Sequence, residues 1–344
     1  MNMLTQPTER KTFRQFLWKT QLFMLPFWIV IALYLYDDPF MVLRNYKIYD
    51  SDVTLNEGHV GWQIYKNRRD SLPFNSFLLG NSCTMAFPCQ EWEKFLPQGS
   101  HAVRLFGNAE GMKAILLKLQ ALERDQAPIR NVLMILNRAS LAKTYQSSGF
   151  SHILPSEISG ENPFSVQLEF LQAFILPEFL FPYLQYRLGG QITPSMKYMN
   201  PYGRVRNSLN NDAINPRERM IEQEGEAYWE KRKKEFPERN KETVFAERAV
   251  FLPQENLLTE IATLLKRHHT AYRLLISPDY NQKQLHPADK ATLEEIFGRE
   301  NVFDFSGINR YTEDYHFYYE QGHYRPLLGI ELLQEIYRPE KITE

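Results

Sequence analysis

The sequence predicts an α/β protein with a doubly wound parallel sheet, carried by one N-terminal transmembrane helix. Short apolar runs alternate with amphipathic helical patterns along much of the 344-residue chain, which is typical of such a sheet. An uncharged apolar segment, Leu22 to Tyr36, lies near the N-terminus. A long segment without alternating strand patterns, residues 142–251, predicts a mainly helical insertion between the third and fourth strands.

The apolar segment reads LFMLPFWIVIALYLY and predicts a retained membrane anchor over residues 21–37. A spanning helix needs about 20 residues, and Thr20, Gln21 and a snorkelling Lys19 extend the short run. Basic side chains precede the run and acidic ones follow it, namely Arg10, Lys11, Arg14 and Lys19 before it, and Asp37 and Asp38 after it. The positive-inside rule then predicts a single-pass inner-membrane protein, with residues 1–20 cytoplasmic and the following domain periplasmic or otherwise extracytoplasmic.

Two alternatives to an anchor remain open. A cleaved signal peptide is disfavoured because the run ends in Tyr-Leu-Tyr-Asp-Asp, with no Ala-x-Ala site after it. A buried helix of a soluble domain is compatible with so short a run.

The remaining elements are predicted in chain order. Residues 38–73 mix polar and aromatic residues without sustained periodicity, which predicts a linker, and residues 74–344 then form the domain. Apolar runs predict five strands, at Phe77 to Leu79, His101 to Gly107, Asn131 to Leu136, Tyr272 to Ile276 and Val302 to Phe305. Helical spacing predicts helices over Glu110 to Arg124, Leu257 to His268 and Ala291 to Phe297, the last ending at Gly298.

The predicted insertion has two parts of different composition. Residues Phe164 to Leu184 are rich in Phe, Leu and Pro, and we expect them to pack against the sheet. A lid over a site and a docking surface for a membrane partner are the alternatives. Residues Arg217 to Lys241 are dense in Glu, Lys and Arg and predict a solvated helix.

Composition excludes several classes of function. The formal net charge of -1 gives no basic face for nucleic acid. The sequence lacks a zinc-type cysteine spacing, a P-loop and a dinucleotide fingerprint, so we expect neither a metal nor another cofactor. The two cysteines, Cys83 and Cys89, are expected to be small buried packing residues, with a local disulfide as the alternative.

Two short segments far apart in the chain predict a serine acyl-transfer site. Gly80-Asn81-Ser82 follows an apolar strand and delivers a hydroxyl at the carboxyl end of the sheet, where α/β folds place their sites. Glu320 precedes His323 by three residues, within reach of a hydrogen bond that holds the imidazole in one tautomer. Ser82 alone would be interpreted as a helix cap, and His323 alone as a surface or core histidine. Their combination favours catalysis.

In order and context, these segments resemble the SGNH (GDSL-like) hydrolase superfamily, especially membrane-anchored branches that include DltD-like and alginate O-acetyltransferase-like proteins. The resemblance covers roughly residues 74 to 338. Gly80-Asn81-Ser82 is similar to the first block of the family, with Asn81 in place of the usual Asp. Glu320-x-x-His323 is similar to the last block, with Glu in place of Asp. The resemblance implies a flavodoxin-like, three-layer fold and the catalytic residues Ser82, His323 and Glu320.

The middle blocks of the family match less well. The resemblance implies an oxyanion hole formed by the backbone amides of Ser82 and Gly107 and by the side-chain amide of Asn137, although Ile135-Leu136-Asn137-Arg138 replaces the usual Gly-x-Asn-Asp. It further implies an esterase or O-acyltransferase that acts on cell-envelope glycan or lipid, with the bilayer, an envelope polysaccharide and a membrane acyl-transfer protein as partners. The alternative is an SGNH-like domain without turnover that serves in envelope binding or assembly.

Other polar residues near predicted strand ends are given weaker roles. Pro278-Asp279-Tyr280 follows the fourth strand and predicts a turn that is able to line the site. Asp304 and Ser306 are similarly placed, at the end of the fifth strand. Arg325 either contacts an anionic substrate or braces its loop. His268, His269 and His316 have no spacing partner for a metal.

Overall fold

A computed structural model describes residues 7–193, 196, 199, 205–239 and 241–338. Parts of three predicted segments lie outside the described residues. They are residues 1–6 of the cytoplasmic segment, residues 339–344 of the domain, and residues 194–195, 197–198, 200–204 and 240 of the insertion.

The fold is mixed α/β around a five-stranded parallel sheet. The strands of the described residues are β1 Ser76–Gly80, β2 Ala102–Phe106, β3 Asn131–Leu136, β4 Val205–Arg206, β5 Ala213–Ile214, β6 Val244–Phe245, β7 Ala271–Ile276, β8 Lys283–Gln284, β9 Val302–Asp304, β10 Tyr318–Glu320 and β11 His323–Tyr324. The sheet has the order β2-β1-β3-β7-β9, and all its pairs are parallel. The five predicted strands are therefore confirmed. The remaining strands form the pairs β4 with β5, β6 with β8, and β10 with β11.

Helices cover both faces of the sheet. The α-helices are α1 Pro7–Asp37, α2 Glu57–Arg68, α3 Cys89–Glu93, α4 Met112–Arg124, α5 Arg138–Ala142, α6 Ser156–Ser159, α7 Pro163–Ile175, α8 Pro177–Gly189, α9 Arg217–Glu224, α10 Ala227–Lys231, α11 Leu252–Arg267, α12 Pro287–Phe297, α13 Arg310–Glu313 and α14 Pro326–Ile336. Phe77 and Leu79 of β1 join the core under α2, α4, α11 and α12, whereas Leu78 joins the core under α3 and α14. Burial on both faces explains why these strands are continuous apolar runs. The three predicted helices are confirmed as α4, α11 and α12, and Gly298 caps α12.

The segment predicted to be a linker, residues 38–73, instead belongs to the folded domain. Its helix α2 buries Trp62 and Tyr65 in the sheet core, where they are 1% and 2% exposed. Polar residues of α2 are also buried, and Glu57 forms an ion pair with Arg206 at 2.7 Å. The sequence therefore shows no apolar stripe, because a helix enclosed on most sides needs none.

The part of α1 from Thr12 to Asp37 is long and apolar enough to cross a membrane, with a mean hydropathy of 1.6 over its most apolar window. None of that window is buried against the rest of the described structure. A network of hydrogen bonds connects the end of this helix to the segment that follows it. The Asp38 carboxylate accepts from the amides of Val42 and Leu43 at 2.8 and 3.0 Å, and Arg44 donates to the Tyr36 carbonyl at 2.9 Å.

The insertion is mainly helical, as predicted, but its apolar part does not pack against the sheet. Phe170 and Phe174 of α7, with Phe179 and Tyr183 of α8, instead form a separate core with Tyr34 of α1. The charged part is also not one solvated helix. It forms the short helices α9 and α10, because Tyr228 and Trp229 interrupt its charged pattern and are buried.

Cys83 and Cys89 are both buried and unbridged, as expected for packing residues.

Candidate active site

The candidate nucleophile lies at the carboxyl end of β1. Gly80 has φ of 135°, and a Cβ there would lie 2.2 Å from the Ile135 carbonyl oxygen on β3, so only glycine fits. The Asn81 side chain then accepts from the Cys83 amide at 2.8 Å and caps the 3₁₀ helix Ser82–Ala86. This turn leaves Ser82, the first residue of that helix, half-buried at the edge of the sheet.

The candidate base and carboxylate face each other across the β10–β11 hairpin, where Glu320 pairs with His323. Ser82 Oγ lies 2.7 Å from His323 Nε2, and His323 Nδ1 lies 2.5 Å from Glu320 Oε1. The contact with Glu320 keeps the proton on Nδ1, so Nε2 is left to accept from the serine hydroxyl. The three predicted residues therefore form one continuous hydrogen-bonded chain, although they lie 241 residues apart in the sequence from Ser82 to His323.

Glu320 is held in its ionised form. Burial by itself raises the pKa of this carboxyl, but the hydrogen bond and charge of His323, the Gly322 amide and the charge of Arg217 outweigh burial and lower the pKa below its usual range. The Gly322 amide donates to Glu320 Oε2 at 2.7 Å. A carboxylate in this state is able to stabilise an imidazolium on His323.

The predicted insertion braces the hairpin that carries Glu320 and His323. The Tyr228 hydroxyl donates to the Tyr319 carbonyl at 2.8 Å, and the Trp229 indole donates to the Tyr318 carbonyl at 3.0 Å. Arg325, directly after the hairpin, binds Glu218 of α9 at 2.6 Å. Arg325 is therefore a bracing residue, one of the two roles considered for it.

Sequence reasoning missed these bracing contacts. Tyr228 precedes its partner Tyr319 by 91 residues, and Trp229 precedes its partner Tyr318 by 89 residues. The one available signal was an adjacent aromatic pair inside an otherwise charged stretch.

Two of the three predicted oxyanion donors are compatible with that role. Ser82 is the first residue of its 3₁₀ helix, where an amide has no acceptor within the helix. The Gly107 amide donates to the Gly80 carbonyl at 3.2 Å, which corrects its assignment as a donor. The physical reason is that the ladder between β1 and β2 continues one residue beyond β2 and occupies this amide.

Asn137 is held at the end of β3 by its side-chain oxygen, and Ser140 connects it to Asn81. Its Oδ1 accepts from the Ser140 amide at 3.0 Å and caps α5, while Ser140 Oγ accepts from Asn81 at 2.9 Å. These bonds connect the turn of Ser82 with Asn137. On the other side of the amide, Nδ2 donates to the neighbouring Asp279 and carries a second hydrogen that is available for an oxyanion.

Asp279 follows β7 and makes the predicted turn, in which Gln282 donates to its carbonyl at 3.0 Å. Burial raises the pKa of this carboxyl to about 6, against which a hydrogen bond from Asn137 acts. Asp279 therefore also lines the candidate site, next to Asn137, as one interpretation of the sequence allowed.

The remaining candidates are engaged elsewhere. Asp304 accepts from the Ser306 amide at 3.0 Å and shapes its own loop. His316 contacts Asp314 and Glu226 at 2.6 and 3.0 Å, and His268 contacts Glu123 at 3.0 Å. Within the described part of the chain, no group of three or more His, Cys, Asp or Glu side chains is arranged to hold a metal.

Comparison of the chain with models of known protein families and with curated proteins gave no match.

Proposed function

We propose that this protein is a membrane-anchored serine esterase or O-acyltransferase that acts on ester bonds of cell-envelope glycan or lipid. The observation that carries the proposal is the chain of contacts from Ser82 through His323 to Glu320, at 2.7 and 2.5 Å. A nucleophile, a base and a carboxylate in this sequence of contacts form the arrangement that activates serine in acyl transfer.

The sheet supports the same proposal. Counted along the chain, its five strands have the order 2-1-3-4-5, which is the order of flavodoxin-like folds. In such folds, ligands bind at the carboxyl edge where the chain switches direction, here between β1 and β3. Ser82 and Asn137 follow those two strands. This position is consistent with the resemblance to SGNH hydrolases.

The proposed reaction has two steps. Ser82 Oγ attacks the ester carbonyl while His323 Nε2 takes the hydroxyl proton, and the Ser82 amide and Asn137 hold the oxyanion. The tetrahedral intermediate breaks the ester C–O bond, His323 returns the proton to the leaving alkoxide, and the acyl group stays on Ser82. Water or a sugar hydroxyl then attacks the acyl-enzyme and gives its proton to His323. The bond between the acyl carbon and Ser82 Oγ breaks, and His323 returns that proton to the serine oxygen.

The proposed location follows from the anchor. The apolar helix α1 supports attachment to the bilayer, and the basic residues before it favour a cytoplasmic N-terminus. The catalytic domain would then face the cell envelope, where glycans and lipids carry esters. A reporter active only outside the cytoplasm, fused after residue 338, tests this orientation. We expect an active fusion, and activity only of a cytoplasmic reporter would contradict it.

Fluorophosphonate labelling of the full chain in detergent tests the nucleophile. We expect labelling of the wild type and its loss in Ser82→Ala and His323→Ala. Ser306→Ala is the matched control, because Ser306 also follows a strand of the sheet but bonds to Asp304. Equal labelling of wild type and Ser82→Ala would overturn the assignment of the nucleophile.

A binding or assembly protein without turnover is the second candidate. The occupied Gly107 amide favours it, because one expected oxyanion donor is missing, and loss of a donor costs ~10²–10³ in turnover. A well-folded wild type that fails to label with fluorophosphonate would support this candidate.

A further inference from the structure

We propose that helices α7 and α8, together called the helical elbow (Pro163–Gly189), lie in the outer interface of the bilayer beside the anchor. This inference concerns lipid contact and does not depend on turnover at Ser82. The two helices together pass the length and composition test for a membrane span, but they meet at an angle of 72°. A helix pair with this bend is more compatible with a segment that enters one side of the membrane than with a segment that crosses it.

The first argument is the depth at which the elbow meets the anchor. The elbow core contacts Val30, Leu33 and Tyr34 of α1, and the Tyr34 and Phe174 rings lie 5.3 Å apart. From Val30 to the helix end at Asp37, a rise of 1.5 Å per residue gives about 10 Å. An interfacial helix buries its apolar face roughly 5–10 Å into the boundary between headgroups and acyl chains. The contacts between the elbow and α1 therefore begin at the depth that an interfacial helix reaches.

The second argument is an unpartnered apolar stripe on α7. Phe164, Leu168 and Ile175 recur at helical spacing and are 75%, 41% and 36% exposed. They lie on a different side of the helix from the buried residues Phe170 and Phe174, whose rings pack against Phe40 and against Tyr34 of α1. Two apolar faces on one helix indicate two apolar partners, and the described residues of the protein supply only one of them.

The stripe continues through the bend into α8. Phe181 and Leu188 are 67% and 91% exposed, whereas Leu176, at the bend, borders the groove that Glu169 and Gln172 line. Large apolar side chains at this exposure are costly in water when they form a continuous patch. In contrast, Glu169 and Gln172 of α7 lie on its polar side and line an open groove that also includes Lys113 of α4.

Polar contacts fix the elbow to the outer end of the anchor. Asp37 accepts from the Tyr183 hydroxyl at 2.7 Å and pairs with Arg187 at 3.0 Å. The Asp37 side chain is 7% exposed in this pair. Because these contacts hold α8 against the last residue of α1, the elbow lies beside the outer end of the anchor. We therefore assign the lipid bilayer as the partner that covers the exposed stripe.

Nitroxide labels on the full chain in phospholipid nanodiscs test the proposal. The labelled variants are Leu168→Cys and Phe181→Cys, with Glu169→Cys and Gln172→Cys as controls on the polar side of α7. Leu25→Cys serves as the standard within the anchor. The native cysteines are buried, and the unsubstituted chain establishes their background. The measured quantity is the collision rate of each label with oxygen, which concentrates in lipid, relative to a water-soluble Ni(II) complex.

We expect the ratio of oxygen to Ni(II) collisions at positions 168 and 181 to exceed that at 169 and 172 by several-fold and to approach that at position 25. Equal ratios at 168 and 169, with a lipid-exposed position 25, would overturn the proposal. Exclusion of both reagents from 168 and 181 would also overturn it, because protein, such as a second copy, would then cover the stripe. A water-exposed position 25 would overturn the anchor and the elbow together.

Discussion

At the scale of single residues, the carboxylate behind His323 has a role distinct from that of a simple hydrogen-bond acceptor. Glu320 accepts from both His323 and the Gly322 amide, and its pKa is held below the usual range despite burial. In the proposed reaction, its negative charge stabilises the imidazolium that forms on His323 and keeps the imidazole in the tautomer that accepts the proton of Ser82.

Replacing this charge tests the triad. We expect Glu320→Gln to retain the fold but to lower the rate of Ser82 labelling by ~10²–10⁴-fold, because the neutral amide stabilises the imidazolium poorly and permits the wrong tautomer. Labelling kinetics measure the effect, and Glu331→Gln on α14 is the control. An unchanged rate in Glu320→Gln would show that the carboxylate is dispensable.

Asp279 predicts a pH dependence of stability. Its pKa is raised from 3.8 to about 6 in the folded protein, so the neutral carboxyl is favoured on folding. The contribution of Asp279 to the free energy of unfolding is complete below about pH 4. It is lost as the pH rises through about 6, which lowers the free energy of unfolding by on the order of 2–3 kcal/mol. Asp279→Asn resembles the neutral form, so the variant should gain stability relative to wild type between pH 4 and 7. Urea unfolding across this range measures the difference, and a constant difference would contradict it.

At the scale of elements, the position of Ser82 depends on how closely α14 approaches the 3₁₀ helix that carries it. Gly329 of α14 allows this approach, because a Cβ there would lie 1.8 Å from the Ala86 carbonyl oxygen. The contact places the chain after the hairpin directly against the nucleophile turn. The helix therefore sets the distance between the two halves of the site.

We expect Gly329→Ala to lower the free energy of unfolding by about 1–3 kcal/mol, because α14 or the 3₁₀ helix must shift. The rate of Ser82 labelling should fall as well. Gly189→Ala is a matched control within a helix, since a Cβ there meets no atom within 4 Å. Equal stability of the two variants would refute the close-approach argument.

At the scale of the whole molecule, the anchor is part of the folded structure. Tyr34 of α1 packs against Phe174, and Asp37 binds Tyr183 and Arg187 of α8. Removal of α1 therefore does more than delete an apolar helix that is long enough to cross a membrane. It exposes an aromatic core and leaves Arg187 without this partner.

We expect deletion of residues 1–37 to leave a domain that aggregates without detergent, because the elbow core loses its cover. Sedimentation in detergent-free buffer measures the soluble fraction. Adding Leu168→Gln and Phe181→Gln to the truncated chain should raise that fraction, since both side chains are already exposed. A truncated chain that stays monomeric in buffer would contradict the role of the anchor in the fold.

Much of the fold and the core of the site were determined by sequence patterns that act locally. Buried parallel strands are continuous apolar runs, so all five could be located, and a Gly-Asn-Ser turn after β1 identified Ser82. The spacing of Glu320 and His323 is likewise local, although they meet in a hairpin rather than a helical turn. The apolar helix α1 was also evident from composition alone.

Only the tertiary structure decided the features that depend on distant partners. The pattern of α2 is irregular because its polar groups are paired inside the protein, as Glu57 is with Arg206. The charged pattern around Tyr228 is interrupted because Tyr228 and Trp229 are buried. The amide of Gly107 is occupied because β2 lies beside β1, which no local pattern reveals. The elbow contacts the anchor instead of the sheet, because apolar composition specifies that a face is buried but not the surface that buries it.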